Sequence, residues 1–316
     1  MKRILITGGT GFVGSYLIKE LLNQNEDIEV HITSFSGTGN KNSDVIIHKI
    51  DLSNASDTEK LIKELKPDEI YHLASLASVE LSFEKPRVVL EQNFSLTLNV
   101  LEAVRLHCPD CKILLISSAD IYKKDQVENH ITEQTPMETT NPYGASKAIQ
   151  DILGQTYVKT FGLKVIIARP FNHIGAGQQT GFVVANFAKQ IAEVENEIDE
   201  NKRIVKVGNL DAKRDFTAVE DMVKAYTLLM TKGKIGEIYN IGSNRPLTIR
   251  EILDELVGLA KVPIAVEIDP NKLRPVDYLL ISGDNSKIVA LGWQPTADIK
   301  KNLPNILDYW RKRVLK

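Results

Sequence analysis

The chain has little sulfur and few landmarks: two cysteines, two tryptophans and four methionines among 316 residues. Two cysteines cannot build the disulfide framework of a small secreted domain. No apolar run approaches the roughly 18 residues of a membrane span, so a membrane protein is not expected. Neither sign of charge is in excess, since 39 lysines and arginines meet 41 aspartates and glutamates for a net of −2. That balance argues against a dedicated nucleic-acid binder, whose phosphate contacts need a basic surplus. A Pro/Ser/Gly linker, a low-complexity tract and an internal repeat are lacking too. The apolar stretch in Met1-Lys2-Arg3-Ile4-Leu5-Ile6-Thr7 is too short for a signal peptide, and a cytoplasmic globular protein of about two domains is expected.

What is present is a rhythm. Short β-branched runs at residues 3–7, 28–33, 45–50, 69–74, 112–117 and 164–169 alternate with helical stretches. Ile113-Leu114-Leu115-Ile116 and Val165-Ile166-Ile167 are apolar on both faces, as strands between two helical layers must be. Tyr16, Leu17, Leu21 and Leu22, then Leu61, Ile62 and Leu65, repeat with helical spacing. The predicted fold is α/β, a Rossmann-type doubly wound parallel sheet over residues 1–170, with a smaller α/β substrate domain over residues 171–316. The chain is expected to return to the first domain near residues 211–242. Helices are predicted over 182–194, 219–231 and 249–259, and strands over 204–207 and 237–241.

Three motifs carry chemistry. In Thr7-Gly8-Gly9-Thr10-Gly11-Phe12-Val13-Gly14, glycines follow the first strand and open the first helix. They allow a tight turn, close approach of backbone amides to a pyrophosphate, and helix–sheet packing. A dinucleotide is therefore the expected cofactor, with a purely structural turn as the alternative. The second strand ends His31-Ile32-Thr33-Ser34-Phe35-Ser36, without the acid that binds the ribose hydroxyls of NAD. A hydroxyl at Ser34 tolerates a 2′-phosphate, so NADP(H) is favoured over NAD(H), although no arginine stands there.

In Asn141-Pro142-Tyr143-Gly144-Ala145-Ser146-Lys147, Asn141 is a candidate N-cap and Pro142 suits the first turn. Tyr143 and Lys147 then share a helical face. Tyrosine needs about three pKa units, roughly 4 kcal/mol, to act near neutrality, which an ammonium and a positive nicotinamide can supply together. An incidental surface pair is the bland reading. Ser118, in Ser117-Ser118-Ala119-Asp120-Ile121-Tyr122, lies at the carboxyl end of a buried strand, where ligands sit in open α/β sheets; a turn-capping serine is its alternative. Cys108-Pro109-Asp110-Cys111 has redox spacing but lies between a helix and a strand, and is read as two incidental thiols. The six histidines show no ligand spacing, so no metal is expected. Arg311-Lys312-Arg313 would complement a helix dipole.

Glycine turn, serine and Tyr-x-x-x-Lys in this order resemble the extended short-chain dehydrogenase/reductases. More narrowly, Arg169-Pro170-Phe171-Asn172-His173-Ile174-Gly175, Phe187-Ala188-Lys189-Gln190-Ile191, Lys206-Val207-Gly208-Asn209-Leu210 and Lys213-Arg214-Asp215-Phe216-Thr217 resemble the GDP-6-deoxy-4-keto-hexose reductases that make GDP-D-rhamnose. GDP-mannose 4,6-dehydratase is a close relative. The resemblance implies Ser118, Tyr143 and Lys147 as the catalytic set. It implies that Gly8, Gly11, Phe12, Val13, Gly14, Ser34, Asp51, Leu52, Ala74 and Ser75 line the cofactor site together with Tyr143 and Lys147. Ser118, Asp120, Asn172, Val183, Asn186, Lys189, Arg214 and Arg274 are implied around the substrate, the arginines suiting a diphosphate.

The implied function is NADPH-dependent reduction of a nucleotide-linked 4-keto-6-deoxy sugar. The alternatives are a 4,6-dehydratase or 4-epimerase of the same family, and a non-catalytic cofactor sensor. Asp120 stands where the dehydratases carry a glutamate base, and Lys123 where the family carries glycine. A homodimer is expected through a four-helix bundle. The helix over 93–107 (Phe94, Leu98, Val100, Leu101, Val104) and the helix from Tyr143 (Ala145, Ala148, Ile149, Ile152, Leu153) each carry more apolar surface than one sheet contact uses.

Overall fold

The computed structural model describes residues 1–24, 27–37, 44–124, 130–273 and 278–315. Strands β1 (Lys2–Thr7), β2 (Ile28–Ser34), β3 (Val45–Lys49), β4 (Glu69–His72) and β5 (Lys112–Ile116) alternate with helices α1 (Phe12–Asn23), α2 (Ala55–Leu65), α3 (Val79–Glu84) and α4 (Pro86–His107). Then come β6 (His130–Ile131), α5 (Pro142–Phe161), β7 (Lys164–Pro170) and β8 (Asn172–Ile174). The rest comprises α6 (Val183–Val194), β9 (Ile204–Val207), β10 (Lys213–Ala218), α7 (Val219–Lys232), β11 (Ile238–Ile241) and β12 (Pro246–Thr248). It ends with α8 (Ile249–Gly258), β13 (Ala265–Ile268), β14 (Leu280–Gly283), α9 (Ser286–Val289) and α10 (Ile299–Val314).

Seven strands form one parallel sheet in the order β11-β7-β5-β4-β1-β2-β3. Side-chain alternation along β5 shows how both faces are filled. Leu114 and Ile116 pack with Leu17 and Leu21 of α1 and Met222 and Tyr226 of α7. Ile113 and Leu115 pack on the other face with Ile62 of α2, Val100 and Val104 of α4 and Tyr157 of α5. A strand covered on both sides has no polar alternation to show, which is why its sequence is a continuous apolar run. The carboxyl ends of β1, β4 and β5 lie side by side, and the site gathers there.

After β7 every strand but β10 has only three or four residues. β12, β10, β14 and β6 form a second sheet in that order, with β8 on β10, and β9 pairs with β13. Helices α6, α8 and α10 enclose a separate core around Phe187, Ile191, Leu253 and Leu303. Between these pieces α7 and β11 belong to the large sheet's layer. The sequence periodicity does not mark β10, whose Lys213, Arg214 and Asp215 give it no apolar face at its start. The run expected over 69–74 leaves the sheet after His72, where the Leu73 amide turns back to the Tyr71 carbonyl at 3.2 Å. Among the described residues no helix is long and apolar enough to cross a membrane, and no three His, Cys, Asp or Glu could hold a metal ion together.

Candidate functional site

The turn from β1 to α1 forms the nucleotide end. Gly8 has φ +68°, and a Cβ there would lie 3.0 Å from the Ala74 Cα. A Cβ at Gly14 would meet the Gly9 carbonyl oxygen at 2.5 Å, so helix and turn touch only because residue 14 is glycine. Gly11 caps α1 without a side-chain bond, and the first turn, with Phe12 and Val13, holds no acid. That end is electropositive and fits a phosphate. The Ser75 hydroxyl beside Ala74 is buried without a hydrogen-bond partner, a donor suited to a ligand in the channel. A groove of about 980 Å³ lies beyond, lined by Phe35, Ser36, Lys49 and Asp51 among others. These features fit a dinucleotide.

Two residues expected there serve the fold as well. The Ser34 oxygen accepts the Gly37 amide at 3.1 Å and the Thr10 hydroxyl at 3.4 Å, and Ser34 is only 4% exposed, so the hydroxyl closes its own loop. An Asp51 oxygen accepts the Ser53 amide and hydroxyl at 2.9 and 2.7 Å, while Leu52 is buried below.

Two of the three motifs, Ser118 and the Tyr143–Lys147 pair, meet at the carboxyl end of β5. Asn141 caps α5 by accepting the Gly144 amide at 2.7 Å, with Pro142 in the first turn as expected. This sets Tyr143 in the first turn of α5, facing the loop after β5. A Cβ on Gly144 would lie 2.8 Å from the Asp120 carbonyl oxygen, so glycine lets that loop close on the helix. Ser118 hydrogen-bonds to Tyr143, and its oxygen accepts the Asp120 amide at 3.1 Å.

Burial pushes the Tyr143 hydroxyl above its usual range; the Asp120 carboxylate adds to this and the Ser118 bond opposes it. Burial pulls Lys147 down to about 7. Its ammonium donates to the Ile116 carbonyl at 2.9 Å. Depression of the tyrosine by Lys147, as the helical spacing suggested, is therefore not seen in the protein alone. Among the described residues Lys147 has no carboxylate partner to offset its desolvation, and Asp120 stands on the tyrosine's side.

The structure adds residues that motif reading missed. Helical spacing from Tyr143 runs on through Lys147, Gln150 and Asp151, and each of these faces the fold. Gln150 reaches Thr97, whose hydroxyl lies 3.1 Å from His72 Nε2, and His72 Nδ1 lies 2.9 Å from Thr7 Oγ1. Desolvation, with the Lys147 charge adding, pulls His72 down to about 3 and keeps it neutral. Asn93 donates to Ser146 at 2.8 Å. The signal was there, since an amphipathic helix does not put Gln and Asp on its buried side without partners.

Around the second lobe the expected substrate residues are spread differently. Asn172, on β8, is exposed. Val183, Asn186 and Lys189 lie along α6, where Lys189 pairs with Glu193 at 3.4 Å and Asn186 accepts from Gln190 at 3.3 Å. Arg214 donates to the Tyr278 carbonyl at 2.8 Å. Arg274 lies outside the described residues. Cys108 is half-buried and Cys111 buried, both as free thiols. Arg311 does more than face a helix end: it forms a bidentate pair with Glu195 at the end of α6.

GDP-6-deoxy-D-mannose reductase of Pseudomonas aeruginosa is 32% identical over 315 residues, covering 99% of this chain and 98% of the relative. The dTDP-glucose 4,6-dehydratase of Haemophilus influenzae is 29% identical, covering 98% of each chain. Among solved structures, RMD of Pseudomonas aeruginosa complexed with NADPH superposes with a TM-score of 0.86 at 32% identity, covering 99% of this chain and 100% of that one. The Thermus thermophilus UDP-glucose 4-epimerase complex with NAD gives 0.85 at 27%, covering 98% and 99%. Residues 5–305 match the family model for GDP-mannose 4,6 dehydratase, and with that match the chain belongs to the GDP-mannose 4,6-dehydratase family.

Proposed function

We propose that this protein is an NADPH-dependent reductase of a nucleotide-linked 4-keto-6-deoxy sugar, converting GDP-4-keto-6-deoxy-mannose to GDP-D-rhamnose. The observation that carries the reading is the meeting of Ser118 and Tyr143 hydroxyls, with the Lys147 ammonium one helical turn on, beside a glycine turn fit for a pyrophosphate. Likeness to the Pseudomonas aeruginosa reductase over the full chain supports the substrate class. A bound nicotinamide supplies the hydride. Tyr143 delivers the proton to the carbonyl oxygen, Ser118 polarises that carbonyl, and Lys147 holds the nicotinamide ribose. NADP(H) is preferred on this reading because the second strand ends on Ser34 rather than an acid. Gly8, Gly11, Gly14, Asp51, Leu52, Ala74 and Ser75 hold the cofactor. Asp120, Asn172, Val183, Asn186, Lys189, Arg214 and Arg274 surround the nucleotide sugar. The protein works in the cytoplasm as a homodimer joined through α4 and α5.

A second reading, a 4,6-dehydratase, is favoured by one observation: the Asp120 carboxylate lies close enough to Tyr143 to act on its ionisation. The two part on redox accounting. A reductase oxidises one NADPH for each keto sugar consumed, while a dehydratase recycles its cofactor. Stoichiometric loss of NADPH absorbance with GDP-4-keto-6-deoxy-mannose, without water loss from GDP-mannose, is expected. Conversion of GDP-mannose to the keto sugar with no net NADPH consumption overturns the reductase.

A further inference from the structure

A 4-keto sugar carries acidic hydrogens on the carbons flanking its carbonyl. The residue that polarises the carbonyl to accept a hydride also makes those hydrogens easier to remove. A carboxylate beside Tyr143 is thus a hazard to a reductase, because it opens enolisation and elimination. Asp120 is such a carboxylate. Its Oδ1, however, accepts the Lys124 ammonium at 2.6 Å. The lysine side chain is only 5% exposed, against 32% for Asp120. Its ammonium also lies 5.9 Å from the centre of the Tyr278 ring. The Asp120 backbone is fixed as well, since its amide donates to Ser118 and its carbonyl abuts Gly144. A carboxylate held from both its main chain and its side chain has to give up a short ionic bond before it can take a carbon-bound proton.

We propose that Lys124 is a positioning residue that determines reaction specificity: by holding Asp120 in an ion pair it denies the site a base and confines it to hydride transfer. The inference rests on the reductase reading and goes past it, since it names what keeps a keto-sugar site from enolising its substrate. It also accounts for a nearly buried lysine in the active-site loop, where an ordinary surface lysine would point to water.

The test is hydrogen–deuterium exchange into the positions flanking the carbonyl of GDP-4-keto-6-deoxy-mannose, in D2O with NADP⁺, read by NMR. Wild type should exchange no faster than the enzyme-free control. Lys124→Met and Lys124→Gln should each raise exchange about tenfold, less than the roughly hundredfold or more of a fully placed base. Adding Asp120→Asn should return exchange to the wild-type level, and Lys124→Arg should stay there. A loop merely loosened by substitution would lose activity but would not gain an exchange that depends on Asp120. Enzyme-catalysed exchange in the wild type overturns the proposal, which keeps it open to failure even where no variant folds. Unchanged exchange in a folded Lys124→Met or Lys124→Gln overturns it too. Wild-type turnover of the same keto sugar with NADPH is measured alongside. If turnover is present, either failure removes only the role of Lys124; if it is absent, the reductase reading falls and takes the proposal with it.

Discussion

Arg169 on β7 and Asp151 on α5 form a bidentate ion pair, Nε to Oδ2 at 2.8 Å and Nη2 to Oδ1 at 2.9 Å, with side chains only 2% and 0% exposed. The same guanidinium donates to the Tyr122 hydroxyl at 2.9 Å, which in turn donates to Asn240 at 2.6 Å. Asp151 lies two helical turns beyond Tyr143, on the face that carries Lys147. The pair therefore sets the rotation of α5 against the sheet. Removing one partner leaves a buried, uncompensated charge. Asp151→Ala should cost about 3–5 kcal/mol, while Asp151→Leu with Arg169→Met should recover much of that loss. Urea unfolding midpoints decide it. A cost below about 1 kcal/mol for Asp151→Ala would mean that water reaches the arginine.

Tyr143→Phe removes the proposed proton donor but leaves the glycine turn and Lys147 in place. Turnover should fall by about a hundredfold or more, with cofactor affinity retained. Single-turnover kinetics and a fluorescence titration of NADPH separate the two. A variant that keeps more than about a tenth of the wild-type rate would assign the proton to another group.

These residues also mark what could be seen in the sequence. The glycine turn, Ser118 and the Tyr143–Lys147 pair were legible because each depends on short-range spacing, and α5 was legible because Asn141 and Pro142 start it. The Asp151–Arg169 and Asp120–Lys124 pairs were not read. The first joins residues 18 apart across a helix and a strand. The second bends around a single turn of 3-10 helix at Ala119–Ile121, whose geometry no periodicity announces. β10 and β14 escaped for a related reason: β10 opens on Lys213, Arg214 and Asp215 with no apolar face, β14 has only four residues, and tertiary packing selects their pairing.

Lys147 should show in stability as well as in rate. Its ammonium is buried with no carboxylate partner among the described residues, and desolvation pulls its pKa down to about 7. In the unfolded chain the same lysine ionises near 10.4. Between these values the unfolded state binds more protons, so stability rises with pH from about 7 toward 10 and is lost as pH falls through 7, by up to about 1.4 kcal/mol per pH unit. Lys147→Met should flatten that slope and raise the melting temperature of the ligand-free protein at pH 7, while abolishing turnover. His72, pulled down to about 3, contributes its own slope only between that value and about 6.5 and does not confuse the measurement. A slope unchanged in Lys147→Met would show that the ammonium is solvated.

The proposed preference for NADPH rests on the uncharged Ser34 at the end of β2, where a carboxylate would repel a 2′-phosphate. Ser34→Asp should weaken NADPH at least about tenfold, roughly 1.4 kcal/mol, and leave NADH little affected. Tighter binding of NADH than of NADPH by the unaltered protein would reverse the assigned preference.

The proposed dimer is tested on the outer faces of α4 and α5. Val100, Leu101 and Val104 go into the sheet's own core, so only part of each predicted apolar set remains outside. What remains is large: Phe94 is 39% and Ile152 53% exposed, Val88 and Phe161 are exposed near the ends of the same helices, and Phe83 is exposed on the preceding α3. Buried apolar area is worth about 25 cal/mol per Å², and two such helices facing their copies about a two-fold axis would hide both aromatic and aliphatic faces. A charge at the centre of that surface would be desolvated in a dimer and harmless in a monomer. Ile152→Glu and Phe94→Glu should therefore shift the mass measured by light scattering at micromolar concentration from two chains to one, without loss of helical circular dichroism. If the wild type already scatters as one chain, the interface is refuted and these residues are ordinary exposed apolar groups, of the kind every globular surface carries.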